Sequence, residues 1–302
     1  MRTAIISDIH GNLEALQTVL ADIDRRHVEE IVCLGDILGY GPNPNECVDL
    51  VAERCAWSLM GNHDYAVIYE PTNFNAAAKQ AAFWTRDQLD RAVDEDPESG
   101  NRRWDFLSRI LQPRVRHQEL YVCVHGSVRK PINEYLFESD PIEDRVKMKD
   151  VFRRIEDEIV VGDTTVRGRC LVGHTHVPGV FVWTDEDEAD FTRARNLGGG
   201  STPADPLDLD PAVLEDDTTE TDPFLVGVHV FDPAEKAIAN PGSVGQPRDE
   251  DERASYAILD TSEDPHRIEF YRIPYDIDAV AAKIYAISEL DDWLGDRLIE
   301  GR

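Results

Sequence analysis

Two pairs of polar residues, Asp8-x-His10 and His174-x-His176, and three single ones, Asp36, Asn62 and His125, occupy equivalent places along the chain. Each follows a short apolar run at the point where that run turns polar. Each also has a glycine beside it (Gly11, Gly35, Gly61, Gly126 or Gly173), which permits tight turning and close backbone approach. Residues two apart on an extended segment point the same way, so each pair reads as two side chains offered from one loop. Two carboxylates, four imidazoles and one amide oxygen form a mixed N/O donor set without a thiolate, suited to Mn, Fe or Zn better than to calcium. Two such ions about 4 Å apart can clamp the attacking and leaving oxygens of a phosphoryl transfer. The competing reading makes Asp8, Asp36 and Asn62 caps of helices or turns.

Buried strands are the elements that must position these residues. The runs "TAIIS", "EEIVCLG", "AWSLMG", "LYVCV" and "CLVG" are short, continuous and apolar, as expected of strands covered on both faces. Between the first two, Leu13, Leu16, Val19, Leu20 and Ile23 recur at helical spacing. The chain thus opens as β-α-β, a context in which ligands gather at the carboxyl ends of strands. "NFNAAAKQAAFWTRDQLDRAV", "NRRWDFLSRIL" and "PIEDRVKMKDVFRRIEDEI" read as helices. Residues 185–223 hold 13 acidic residues against 2 arginines, with four prolines and a "GGG". This composition predicts a solvated, weakly ordered insertion dispensable for chemistry. "FLVGVHVFD", "ASYAILD" and "HRIEFYRI" then alternate as antiparallel strands do, and "DIDAVAAKIYAI" reads as a closing helix. The expectation is one domain over residues 1–302, carrying the insertion.

Composition excludes several classes. The net charge of −29 argues against a broad nucleic-acid surface, whose affinity comes from basic residues. A phosphorylated substrate remains compatible, because bound cations reverse the local field. No apolar stretch approaches the roughly 20 residues of a membrane helix, and no charged-then-apolar leader opens the sequence. The five cysteines, an odd number without a C-x-x-C pair, fit a reducing cytoplasm. His27, His117, His229 and His266 lie outside every motif and read as ordinary histidines.

In order, "SDIHGN", "GDILGYGPNP", "GNHD", "VHGS" and "GHTHVPG" resemble the motifs of the calcineurin-like metallophosphoesterases. "FNAAAKQAAFWTRDQL", "NPGSVGQPRD", "ASYAILD" and "FYRIPYDIDAVAAKI" extend the resemblance to the small prokaryotic phosphodiesterase branch, over nearly the whole chain outside the acidic segment. The resemblance implies a four-layer α/β/β/α sandwich with mixed sheets and a site at one edge. It implies two divalent transition-metal ions (Mn, Fe, Zn or Ni): Asp8, His10 and His176 on the first, Asn62, His125 and His174 on the second, and Asp36 bridging both. It further implies in-line attack on phosphorus by a bridging hydroxide. His63 would protonate the leaving oxygen or stabilise the phosphate, and Asp64 would help orient His63. Arg129 and Arg248 are candidates to grip a phosphate bidentately, each with a purely structural alternative.

Three functions compete. A phosphodiesterase acting on a small phosphorylated substrate is favoured. Ser/Thr phosphatases of the superfamily carry a second Asp and an Arg shortly after the bridging Asp, where this chain has Gly39 and Tyr40. Non-catalytic relatives typically lose the histidine of "GNH", and His63 is present. Nuclease relatives usually add a DNA-capping domain, for which this acidic chain offers no basic candidate.

Overall fold

The computed structural model describes residues 1–117, 120–159, 168–184, 188–198 and 222–302. In chain order the elements are β1 (Arg2–Ile6), α1 (Leu13–Asp24), β2 (Glu30–Cys33), α2 (Pro44–Arg54), β3 (Trp57–Ser58), α3 (Asn62–Ile68), α4 (Ala76–Glu95) and α5 (Pro97–Asp105). A π turn at Phe106–Ile110 leads to β4 (Val115–His117), β5 (Tyr121–Cys123), α6 (Asp140–Glu143), α7 (Arg145–Ile159), β6 (Arg169–Leu171), β7 (Gly179–Trp183) and β8 (Ala189–Arg193). After a 3-10 turn at Ala194–Asn196 come β9 (Leu225–Val230), β10 (Ala237–Asn240), β11 (Ala254–Asp260), β12 (Arg267–Ile273), α8 (Ile277–Tyr285) and α9 (Trp293–Glu300).

The strands form two six-stranded mixed sheets, ordered β3-β2-β1-β11-β12-β9 and β4-β5-β6-β10-β7-β8. Period-two alternation assigns each strand's two faces to different layers. From β1, Ile5 points between the sheets, whereas Ala4 and Ile6 pack against α1 and α2. From β5 and β6, Tyr121, Cys123 and Leu171 point between the sheets, whereas Val122, Cys170 and Val172 meet Met148, Val151, Phe152 and Ile155 of α7. The result is helix, sheet, sheet, helix, the expected four layers. A further cluster joins Leu294 and Leu298 of α9 and Val280 and Ile284 of α8 to α4 and Tyr40. The C-terminal helices thereby reach the end of the sandwich where the polar residues gather.

Two expectations are corrected. The helix read at "PIEDRVKMKDVFRRIEDEI" is two helices, because Asp144 leaves helical geometry and its carboxylate caps the amide of Lys147. The acidic segment is not simply a solvated excursion. Its residues 189–193 form β8, which pairs antiparallel with β7, packs Phe191 against Phe181 and buries Ala189. The acids around β8 hide its short alternation. Residues 185–187 and 199–221 lie outside the described residues, and with them the rest of that expectation. Among the described residues no helix is long and apolar enough to cross a membrane.

The layer assignment predicts that Leu171→Ala, which opens a hole between the sheets, costs about 2 to 5 kcal/mol. Val146→Ala on the exposed face of α7 should change stability by no more than about 0.5 kcal/mol. Urea unfolding midpoints at unchanged slope provide the measurement.

Candidate metal centre

The parallel strands β1, β2 and β3 end beside the parallel pair β5 and β6, so five strand ends open onto one edge. Asp8 and His10 follow β1, Asp36 follows β2, Asn62 opens α3 after β3, His125 follows β5, and His174 and His176 follow β6. These backbones are not extended. Asp8, His10, Asp36, His174 and His176 have φ of 56°, 50°, 54°, 65° and 64°, all left-handed. The two-apart spacing therefore works because the chain doubles back at each residue, not because alternate side chains of an extended segment align. Such backbone costs of order 1 kcal/mol or more per non-glycine residue and persists only where its surroundings enforce it. Here the loops lock one another: the Asp8 amide donates to Gly35 O (2.9 Å), the His10 amide to Asp36 O (3.0 Å) and the Gly173 amide to His125 O (2.9 Å).

Two of the neighbouring glycines are required by space. A Cβ on Gly61 would stand 2.0 Å from Asp36 Oδ1, and one on Gly173 2.2 Å from Ser7 Oγ. Both glycines let a loop close onto a carboxylate.

The side chains converge as two triads with Asp36 between them. Asp8, His10 and His176 form one group, and Asp36, His125 and His174 the other, each with its donor atoms within 4.8 Å of one another. His176 Nε2 lies 3.2 Å from Asp8 Oδ1. Asp36 Oδ2 lies 3.3 Å from His125 Nε2 and 3.8 Å from His10 Nε2. Asn62 Oδ1 joins the second triad, 3.3 Å from His125 Nε2. All seven residues are buried.

Hydrogen bonding gives this cluster its chemistry. His10 Nδ1 faces Leu38 O at 3.0 Å, His125 Nδ1 faces Leu34 O at 2.9 Å, and His176 Nδ1 faces Gln246 O at 2.6 Å. A carbonyl only accepts, so each Nδ1 carries a proton; the neutral rings of His10 and His176 turn their Nε2 lone pairs inward, whereas His125 Nε2 faces the acceptor oxygens of Asp36 and Asn62. His10 Nε2 and His176 Nε2 are then two lone pairs 3.3 Å apart. No hydrogen bond joins two acceptors, whereas a cation between them satisfies both. His174 Nε2 is likewise buried without a hydrogen-bond partner. The donor set therefore fits divalent metal.

The remaining predicted residues divide. His63 sits in the cluster, with a ring nitrogen near His10 and Asp36, and its ring is packed by Tyr40, Phe74 and His10 at 4.3 to 4.8 Å. Asp64 does not orient it. The Asp64 carboxylate accepts backbone N–H bonds from Asp36, Ile37, Leu38 and Gly61 at 2.9 to 3.1 Å, while His63 Nδ1 has no partner. Asp64 instead ties the β2 loop to the β3 loop. Arg129 Nε lies 3.4 and 3.6 Å from the carboxylates of Glu134 and Asp150. Arg248 stays beside the cluster, bonded to Gln246 Oε1 at 3.2 Å. His229 pairs with Glu235 and His266 with Tyr121, as ordinary histidines do. The sequence reading missed Gln246, Tyr135 (stacked on His174 at 3.7 Å) and Arg297. "NPGSVGQPRD" was a signal for Gln246. Nothing in sequence pointed to Arg297, far from every motif.

Burial holds the rings of His10, His174 and His176 well below the ordinary imidazole value, with neighbouring positive charge adding to the effect. Burial also brings His63 down to about 4, against the pull of Asp36. At His125 burial acts downward, but Asp36 and Asp8 outweigh it and raise the ring to about 9. Burial and the neighbouring Asp36 charge raise Asp64 to about 7, against the backbone N–H donors.

A family model described as calcineurin-like phosphoesterase matches residues 1–178. The chain is 34% identical to the uncharacterized protein MJ0912 of Methanocaldococcus jannaschii, over 99% of this chain and 98% of that one. It superposes on a metallophosphoesterase from Sphaerobacter thermophilus with a TM-score of 0.68 at 32% identity, covering 100% of this chain and 99% of that one. A hypothetical protein, PH1004, from Pyrococcus horikoshii OT3 shares the fold at 15% identity, with a TM-score of 0.64 and coverage of 100% and 98%.

A metal must displace the extra proton of His125, because an imidazole ligates in its neutral form. Metal binding at pH 7.5 should therefore release about one proton, read from calorimetric titrations in buffers of different ionisation enthalpy. Release should vanish in His125→Ala. The sign of the linked stability follows. In the metal-free chain the protonated His125 stabilises fully below its ordinary value of 6.5, and the contribution is lost as pH rises through about 9. Saturating metal should flatten that alkaline loss.

Proposed function

The chain belongs to the calcineurin-like phosphoesterases, and we propose that it hydrolyses phosphodiesters with two divalent transition-metal ions. The observation that carries this reading is the facing pair of imidazole lone pairs beside Asp8, duplicated across Asp36 by a second triad. In this reading Asp8, His10 and His176 hold one ion, Asn62, His125 and His174 the other, and Asp36 touches both. Bound there, the ions supply an activated water and neutralise charge on the phosphoryl oxygens.

Diester chemistry is favoured by what surrounds the cluster. A cleft of about 350 Å³ opens from it, walled by Tyr40, Asn62, His63, Phe74, Tyr135 and His174 among others, with no lysine or arginine in its lining. Such a wall suits an uncharged ester group on phosphorus better than a further anionic oxygen. Tyr40 fills the place where the superfamily's protein phosphatases carry arginine, and its ring packs on His10 and His63. The five free cysteines fit a reducing compartment, where we place the protein acting on a small phosphorylated substrate.

His63 is the proton donor in this reading. Buried and held near 4, its ring is neutral at neutral pH and enters as an N–H donor. An anionic phosphate against the ring would raise its proton affinity, so that the ring would take up a second proton from solvent, pass it as imidazolium to the departing oxygen and return to its neutral form. Asp64 contributes indirectly, by fixing the loops that carry Asp36 and His63.

The test is turnover by metal-replete protein on matched diesters and monoesters, with metal counted. Diester hydrolysis at two ions per chain is expected, and a persistent single ion would sink the two-metal reading. Asp36→Asn should cost far more activity than Asn62→Ala, because it weakens both positions. His63→Ala should cost about 100- to 10,000-fold on an alkyl or nucleoside diester and much less on a nitrophenyl diester, whose leaving group departs unprotonated. Equal losses on both would assign His63 to phosphate binding.

A further inference from the structure

The loop that follows Asp36 brings a phenol to the edge of the metal centre. Leu38 O faces His10 Nδ1 at 3.0 Å, and Gly39 lies so near His63 that a Cβ there would stand 2.5 Å from the ring Nδ1. Tyr40 comes next, in left-handed backbone with φ of 60°, which persists in a tyrosine only where the surroundings enforce it. Gly41 does so: its amide donates to His10 O at 2.8 Å, and a Cβ on it would stand 2.2 Å from the same oxygen. The Tyr40 ring, 8% exposed, is thereby laid against His10 and His63, with centroids 4.8 and 4.3 Å away. It also walls the cleft that opens from the cluster.

The phenol oxygen meets Arg297 of α9, which reaches it as a side-chain donor, the guanidinium carbon lying 5.9 Å from the ring centroid. That guanidinium is itself held. Its Nε donates to the main-chain oxygen of Arg302 at 2.6 Å, and it stands 4.6 Å from the Trp293 ring centroid. A guanidinium only donates, so the Tyr40 oxygen accepts and its own proton must point elsewhere. Among the described residues no group accepts that proton. A cation on the oxygen also polarises the O–H bond and makes it a stronger donor. The result is an aimed, neutral donor in the wall of the cleft. It offers a hydrogen bond without adding charge, which suits the single negative charge of a diester.

We propose that Tyr40 is a catalytic residue whose O–H donates to a non-bridging oxygen of the phosphodiester at the metal centre, with Arg297 as the positioning residue that aims it. The inference rests on the hydrolase reading above, in which His63 already serves the departing oxygen. The hydrogen bond strengthens as charge builds on the phosphoryl oxygens, and no proton changes hands.

The test uses full-length, manganese-loaded protein with thymidine 5′-(4-nitrophenyl phosphate) and the two phosphorothioate diastereomers of that ester. Sulfur is a weak acceptor, so only one diastereomer keeps an oxygen opposite Tyr40. Tyr40→Phe retains the ring that packs on His10 and His63 and removes the donor. It should lower kcat/KM about 10- to 100-fold on the oxygen ester and on one diastereomer, and less than about three-fold on the other. Arg297→Gln should show the same stereochemical pattern, and Arg297→Lys should restore part of the loss. Added to Tyr40→Phe, Arg297→Gln should cost no more than about two-fold further. Equal losses on all the esters, or none, would overturn the donor while leaving diester hydrolysis intact. A second readout is calorimetric binding of inorganic phosphate to the metal-loaded chain, which Tyr40→Phe should weaken about ten-fold. In a protein that turns over none of the esters, that weakening would support the donor and overturn the hydrolase reading. Unchanged phosphate affinity in such a protein would overturn both.

Discussion

Two carboxylates and four imidazoles are buried together, and carbonyls hold His10 and His176 in the tautomer that turns their lone pairs toward one another. Unpaired polar groups of this kind cost about 1 to 3 kcal/mol each when buried, and charged ones more. Bound cations convert that liability into ligation. Much of the architecture serves the convergence. Parallel strands from two sheets deliver their ends to one edge, left-handed residues fold each loop inward, and glycines make room for the carboxylates. Asp64, with its N–H donors drawn from two loops, holds the β2 and β3 connections at a fixed separation.

Aromatic rings complete what hydrogen bonds leave unspecified. Where His10, His125 and His176 are held through Nδ1 by carbonyls, His174 is covered by the Tyr135 ring and His63 by Tyr40 and Phe74. These rings pack on the imidazoles without competing for their nitrogens, and they lower the polarity around the cluster. Rigid orientation of donors toward developing charge is what makes such a site effective. The same rings wall the cleft.

The charge of the chain misleads if read globally. A net −29 describes a surface that repels polyanions, yet the edge carrying the site holds Arg248 and Arg297 without side-chain carboxylate partners among the described residues. With cations bound, that edge becomes locally positive inside an acidic envelope.

The sequence by itself determined most of the strand runs and the polar residues at their ends, because these depend on local patterns, while the layer order came with the family resemblance. Apolar runs of strand length, helical spacing in α1 and a polar residue beside glycine at each strand end are all legible within a few positions. Tertiary structure decided whatever depends on partners distant in sequence. Arg129 and Arg248 look alike as letters; the first has Glu134 and Asp150 beside its Nε, whereas the second bonds the Gln246 side chain. Asp64 follows His63 directly, yet its carboxylate turns away toward amides some 26 to 28 positions upstream. Within the acidic segment, β8 forms because β7 offers it an open edge and Phe181 a surface for Phe191, and composition registers neither. Arg297 is the clearest instance: only the packing of α8 and α9 onto α4 and Tyr40 carries a C-terminal guanidinium to a site built from strand ends. Short-range propensity acts through neighbours in the chain, whereas charge neutralisation and burial act through neighbours in space.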